Sequence, residues 1–182
     1  MPTPDICDLI LEQHNEFRAR FAELDDLRDA DAETLAGVWK PLADLLEAHA
    51  EAEEKLFYPH LLELGDEPVE ETEDAVTDHN EITEAVEKTQ GLEAGSDEWW
   101  EAVDAAREEN SSHTAEEERG ALADFRRNAS DELREEIGTK WLAWHGEHAE
   151  GYDRDEKDFV EYVEEHGDDE QVEEAEEMAE ED

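Results

Sequence analysis

Basic residues are scarce in this chain. Of its 182 residues only 14 are Lys or Arg, against 60 Asp or Glu, and the formal charge is −46. Such a surface repels phosphate backbones and anionic headgroups alike, which argues against nucleic acid and membranes as partners. Lysine is the scarcer cation, five residues against nine Arg, and a carboxylate-saturated, lysine-poor composition resembles that of proteins from salt-in halophiles. Cysteine is nearly absent: Cys7 alone cannot close an internal disulfide. The opening Met-Pro-Thr-Pro-Asp-Ile-Cys lacks the basic and apolar regions of a signal peptide, so a cytoplasmic location is expected. No run of about 18 apolar residues is present to span a bilayer. Disorder is excluded differently: 37% of residues are apolar, and they recur with a period.

That period is helical, and nothing alternates with period two for long, which argues against strands. Pro4 and Asp5 open a first helix with Ile10, Phe17, Phe21 and Leu24 on one face. A second runs from about Glu33 to Leu64 through Leu35, Val38, Leu42, Leu45 and Leu56, kinked or ended by Pro59 and stopped at Gly65. A third spans Pro68 to Gln90, and a fourth, capped by Ser96, reaches Asn128. The expected fold is all-α: an antiparallel up-down four-helix bundle over residues 1–128. Ser130 caps a fifth helix, with Trp141 and Trp144 as packing anchors, in an extension over residues 129–166 that packs on the bundle. Residues 167–182 read as a disordered acidic tail.

Four of the eight histidines fall on apolar stripes. His14 continues Ile10 to Phe17, His49 and Glu53 continue Leu42 and Leu45 toward Leu56, His79 lies between Val76 and Ile82, and His113 with Glu117 extends Trp99, Val103 and Ala106. Measured from the intervening turns at about 1.5 Å per residue, the four imidazoles reach one level of the bundle to within a few Å. Glu53 and Glu117, one turn beyond their histidines, enter the same layer. The context is also duplicated. His14-Asn15-Glu16-Phe17 recurs as His79-Asn80-Glu81-Ile82, and His49-x-x-x-Glu53-Glu54-Lys55 as His113-x-x-x-Glu117-Glu118-Arg119, with 35 and 34 residues between the members of each pair. Two copies of one helical hairpin would build a symmetric site.

Burying six such groups unpaired costs several kcal/mol at least, whereas a metal neutralises the carboxylates and uses every imidazole. His14, His49, Glu53, His79, His113 and Glu117 are therefore the expected metal ligands. Six donors exceed one tetrahedral zinc and suit a dinuclear centre, of iron first, with manganese or zinc as alternatives. None of the eight histidines has a Glu three residues before it, which disfavours the ferritin-like dinuclear proteins. His60 lies about 16 Å along the axis from His49 and reads as a rim residue. His145 and His148 read as surface residues without a third ligand.

The order lone His, His-x-x-x-Glu, lone His, His-x-x-x-Glu-Glu, with Glu53-Glu54-Lys55-Leu56-Phe57-Tyr58-Pro59 closing the second helix, resembles the hemerythrin-like, or HHE cation-binding, domain. The resemblance covers about residues 5 to 128. It implies two non-haem iron ions with an oxo or hydroxo bridge, one held by His14 and His49, the other by His79 and His113, and Glu53 and Glu117 bridging them. The oxygen-carrying members have a further His one turn after the third-helix His, where this chain has Thr83. That departure implies an open position beside Thr83 and argues against reversible oxygen carriage.

The expected function is a di-iron protein that binds or senses dioxygen or a related small oxidant such as nitric oxide or peroxide, more a binder than a catalyst. The alternative is an iron-handling or oxidative-stress enzyme using the same site, and the bland reading is an acidic bundle without metal. Nothing in the sequence identifies a protein partner.

Overall fold

The computed structural model describes residues 3–181. Among them every regular element is an α-helix: α1 Ile6–Asp26, α2 Ala32–Leu56, α3 Tyr58–Leu64, α4 Pro68–Lys88, α5 Asp97–Arg119, α6 Ala121–Asn128, α7 Asp131–Glu147, α8 Phe159–His166 and α9 Asp169–Glu181. The helix starts have local causes. Asp31 accepts from the Thr34 N–H at 2.9 Å, and Ser96 and Ser130 accept from Trp99 and Leu133 at 3.2 Å, satisfying donors that the first turn leaves free.

Helices α1, α2, α4 and α5 form the bundle, each packing on the next and α5 returning to α1. The second expected helix is two. The chain breaks at Phe57 (φ −108°, ψ −58°), because Pro59 has no N–H to offer the turn before it, and α3 restarts with that proline in its first turn. The fourth is likewise divided at Gly120 into α5 and α6. Both breaks fall within one turn after Glu53 and Glu117.

The apolar interior lies in two parts. One gathers Phe17, Phe21, Leu24, Leu35, Trp39, Leu42 and Val103, the other Ile10, Phe57, Tyr58, Val76, Phe125 and Trp141. Between them His14, His49, Glu53, His79, His113 and Glu117 form a polar layer, none more than 3% exposed. Helix α7 crosses α1 and α2, and Gly138 permits this, since a Cβ there would overlap the Pro4 carbonyl oxygen.

Two expectations need correction. Residues 169–181 are not a disordered tail but helix α9, packed on α8 and α4. Its apolar face is narrow, Val172, Ala175 and Met178, yet Ala175 is fully buried. Its start is a capping box, with Asp168 Oδ1 accepting from the Gln171 N–H and Gln171 Oε1 from the Asp168 N–H, both at 3.0 Å. Residue 182 lies outside the described residues, as do residues 1 and 2 at the other end. Secondly, His145 and His148 are half-buried, because α7 packs its Trp141 side inward: His145 lies 4.8 Å from Trp141, and His148 stacks on Trp144 at 3.8 Å.

Candidate metal centre

The six expected donors meet in two groups. One contains His14, His49, Glu53 and Glu117, the other Glu53, His79 and His113, with the donor atoms in each within 4.8 Å of one another. His49 Nε2 lies 2.8 Å from Glu53 Oε1, and His79 Nε2 3.2 Å from Glu53 Oε2, so one carboxylate turns an oxygen to each group. His14 Nε2 lies 3.2 Å from Glu117 Oε2, and His113 Nε2 3.7 Å from Glu53 Oε2. Donors held about 2.1 Å from a common ion lie about 3.0–3.5 Å apart at right or tetrahedral angles. The arrangement fits that spacing.

The outer nitrogens settle how the rings are turned. His49 Nδ1 faces Gln13 Oε1 at 2.7 Å, His14 Nδ1 faces Glu118 Oε1 at 3.1 Å, His79 Nδ1 faces Glu54 Oε1 at 2.8 Å, and His113 Nδ1 faces Asp78 Oδ2 at 3.4 Å. These oxygens only accept, so each ring donates from Nδ1 and turns the Nε2 lone pair inward. His79 and His113 then point two such nitrogens at each other, 3.1 Å apart. Nε2 of His14 and His49, both oxygens of Glu53 and Oε2 of Glu117 are buried without a hydrogen-bond partner. Buried polar atoms are rarely left so. A cation between them satisfies every one, and the donor set therefore fits a metal.

The charges respond to the same crowding. Burial lowers His49, whereas Glu117 raises His14 against its burial, and Asp78 and Glu53 carry His113 up to about 10; a cation at Nε2 would take the place of that second ring proton. Burial would raise Glu53, and the His49, His113 and His79 rings hold it well below the carboxylate range instead.

The outer partners were missed by spacing arguments, although the duplication contained them. Gln13 and Asp78 each precede the lone His of their hairpin, and Glu54 and Glu118 each follow the inner Glu. The approximate twofold thus extends to the second layer. It is broken by Tyr58, whose hydroxyl donates to Glu117 Oε1 at 3.0 Å, leaving Glu117 one oxygen for the His14 group and none turned to the other. Equal bridging by Glu53 and Glu117 is therefore not what the side chains present.

Against this geometry the family match is decisive. The hemerythrin HHE cation-binding domain matches residues 5–125. The chain belongs to that family. No curated protein and no solved structure matches it. The hemerythrin-like match ends within α6, so the segment from α7 onward lies outside it.

One further expectation changes here. Thr83 is buried, and its hydroxyl accepts from Arg154 Nη1 at 3.0 Å. Where an open position was expected beside Thr83, the threonine meets a guanidinium from the loop between α7 and α8. His60 stays on the rim as expected, half-buried and 3.9 Å from Glu63. No helix among the described residues is long and apolar enough to cross a membrane.

Proposed function

We propose that the chain is a cytoplasmic non-haem di-iron protein that binds or senses dioxygen or a related small oxidant, such as nitric oxide or peroxide. The observation that carries this reading is the four imidazoles turned lone-pair inward, each fixed from outside by its own acceptor, around a carboxylate with one oxygen toward each pair. His14, His49, Glu53 and Glu117 would hold one iron, and His79, His113 and Glu53 the other. When bound, the irons supply electrons and a Lewis-acidic position for the small ligand.

The chain's own residues set the conditions for that chemistry. Gln13, Glu118, Glu54 and Asp78 hold protons at Nδ1 and keep the rings from rotating. Tyr58, its phenol pushed well up by burial and by Glu117 and Glu53, keeps its proton and orients Glu117 through it. Phe17 and Trp141 stand edge-on to His49 at 4.9 and 5.4 Å and exclude water from that side. With the six donors at most 3% exposed, only a molecule of a few atoms can diffuse to them through the packed side chains, which favours a diatomic or peroxide over an organic substrate. The net charge of −46 opposes nucleic acid and anionic membranes as partners.

The test is anaerobic loading with ferrous ion, followed by iron analysis and optical spectra before and after admitting air. About two irons per chain and an absorption change on oxidation are expected. His49→Ala and His113→Ala should fall well below two irons, and His60→Ala should match the parent. Equal iron in all three variants overturns the assignment.

A further inference from the structure

Arg154 is an unusual residue for its position. It lies in the irregular segment between α7 and α8, outside the region the family match covers, yet it is 3% exposed. A buried guanidinium is tolerated only where its hydrogen bonds are met. Here they are. Nη2 donates to Glu54 Oε1 at 2.6 Å and Nε to Glu54 Oε2 at 3.3 Å, while Nη1 donates to Asn80 Oδ1 and Thr83 Oγ1, both at 3.0 Å. Glu54 Oε1 is the atom that faces His79 Nδ1.

The other half of the twofold shows what this arginine replaces. There Arg18, one turn after His14, donates from Nη2 to Glu118 Oε1 at 2.7 Å and from Nη1 to Asn15 Oδ1 at 3.3 Å, and Glu118 Oε1 faces His14 Nδ1. Arginine to outer glutamate to imidazole, with the arginine also on the asparagine of the His-Asn-Glu repeat, is the same chain of contacts in both halves. The position matching Arg18, one turn after His79, is Thr83, which has no cation to give. The guanidinium that fills the gap arrives from a distant part of the sequence.

We propose that Arg154 is a positioning residue for the His79 half of the centre, supplied by the C-terminal extension in place of the arginine that the second hairpin lacks. The inference rests on the metal-site reading above. The extension is built to deliver it: the Lys157 N–H donates to Asn80 Oδ1 at 3.0 Å, its carbonyl accepts from Asn80 Nδ2 at 2.8 Å, and the Tyr162 hydroxyl donates to the Glu54 carbonyl at 2.6 Å. Lys157 Nζ also pairs with Glu54 and, at 2.8 Å, with Glu51. Asn15, the counterpart of Asn80, is exposed and docks no such segment. The two halves therefore differ in shielding: the Arg154 and Glu54 side chains are 0% exposed, those of Arg18 and Glu118 46% and 28%. The four imidazoles follow the twofold, and what steadies them does not.

Ferrous ion titrated anaerobically into the full-length chain, with helix content checked by circular dichroism, tests this. The parent should take up two equivalents. Arg154→Ala should keep one at parental affinity and weaken the other about tenfold, the lower end of the cost of losing a histidine's outer partner, since Glu54 remains and loses only its support. The combined variant Arg154→Ala/Thr83→Arg, which moves the guanidinium to the place Arg18 holds in the other half, should recover two equivalents. Any merely structural loss would weaken both equivalents together and would not be repaired from Thr83. Parental binding by Arg154→Ala, equal weakening of both equivalents, or a combined variant no better than the single one overturns the proposal. If Arg154→Ala does not fold, the combined variant decides alone: folding with two equivalents supports it, and failure overturns it. A parent that takes up no metal sinks the metal-site reading instead.

Discussion

Stripping the metal from this domain should cost it a large part of its stability. Five buried atoms on four residues then lack partners, Nε2 of His14 and His49, both oxygens of Glu53 and Oε2 of Glu117. An orphaned buried polar group costs about 1–3 kcal/mol, which puts the penalty at about 4 kcal/mol if the lower figure holds for each residue. The same value follows from linkage for an ion at about a thousand times its Kd, about 4 kcal/mol. In a chain of this length 1 kcal/mol moves Tm by about 2–4 °C, so excess chelator should lower Tm by about 8–16 °C. The assay is thermal unfolding followed by circular dichroism under anaerobic conditions, at fixed salt, with ferrous ion or with chelator. His49→Ala, which leaves only the Glu53, His79 and His113 group, should keep only part of the difference, and His60→Ala should keep all of it. A parental Tm that agrees within about 2 °C between the loaded and chelated forms would refute the reasoning, because the layer would then be satisfied by protein contacts alone.

Salt should also raise Tm steeply, since the Debye length falls from about 30 Å at 0.01 M to about 3 Å at 1 M and screens the self-repulsion of 60 carboxylates; a Tm flat between those conditions contradicts the repulsion argument. Glu47, 6% exposed, is raised from 4.5 to about 7 by burial and by Asp153, Asp44 and Glu87 beside it, with Arg154 opposing. The folded state thus binds the extra proton, and this contribution to stability, complete below about pH 4.5, is lost as pH rises through 7. Glu47→Gln should therefore raise stability at pH 8, by on the order of 1 kcal/mol once solvent screening is allowed for, and leave it nearly unchanged at pH 4.5, read from thermal unfolding; equal shifts at both pH values would show that the charge is not the cause. Gly138→Ala should destabilise the chain by about 1–3 kcal/mol, read from chemical denaturation, because the Pro4 backbone blocks the added methyl and α7 must lift from α1; an unchanged midpoint would mean that the helix shifts freely.

Helical period and caps mark out the bundle helices and α7 and bring six polar residues to one level, but give no sign of the break at Gly120 or of α8. Helical period and cap chemistry are local, and His14, His49, Glu53, His79, His113 and Glu117 sit on stripes whose burial follows from neighbours three and four residues away. The duplicated hairpin even contained the outer acceptors, Gln13 with Asp78 and Glu54 with Glu118, once the twofold was followed beyond the ligands. Helix α9 reads in sequence as a disordered tail: the Asp168 and Gln171 cap is there, but a three-residue apolar stripe is too narrow to announce burial without the surface it meets. The remaining contacts join segments far apart in sequence. Tyr58 finds Glu117 across the bundle, and Arg154 reaches Glu54 from a loop with no periodicity, 100 residues away in sequence. A buried ion pair over that separation leaves no local signal, because neither residue's neighbours change with its partner. The threonine at position 83 reads as a gap until the fold brings a guanidinium to fill it.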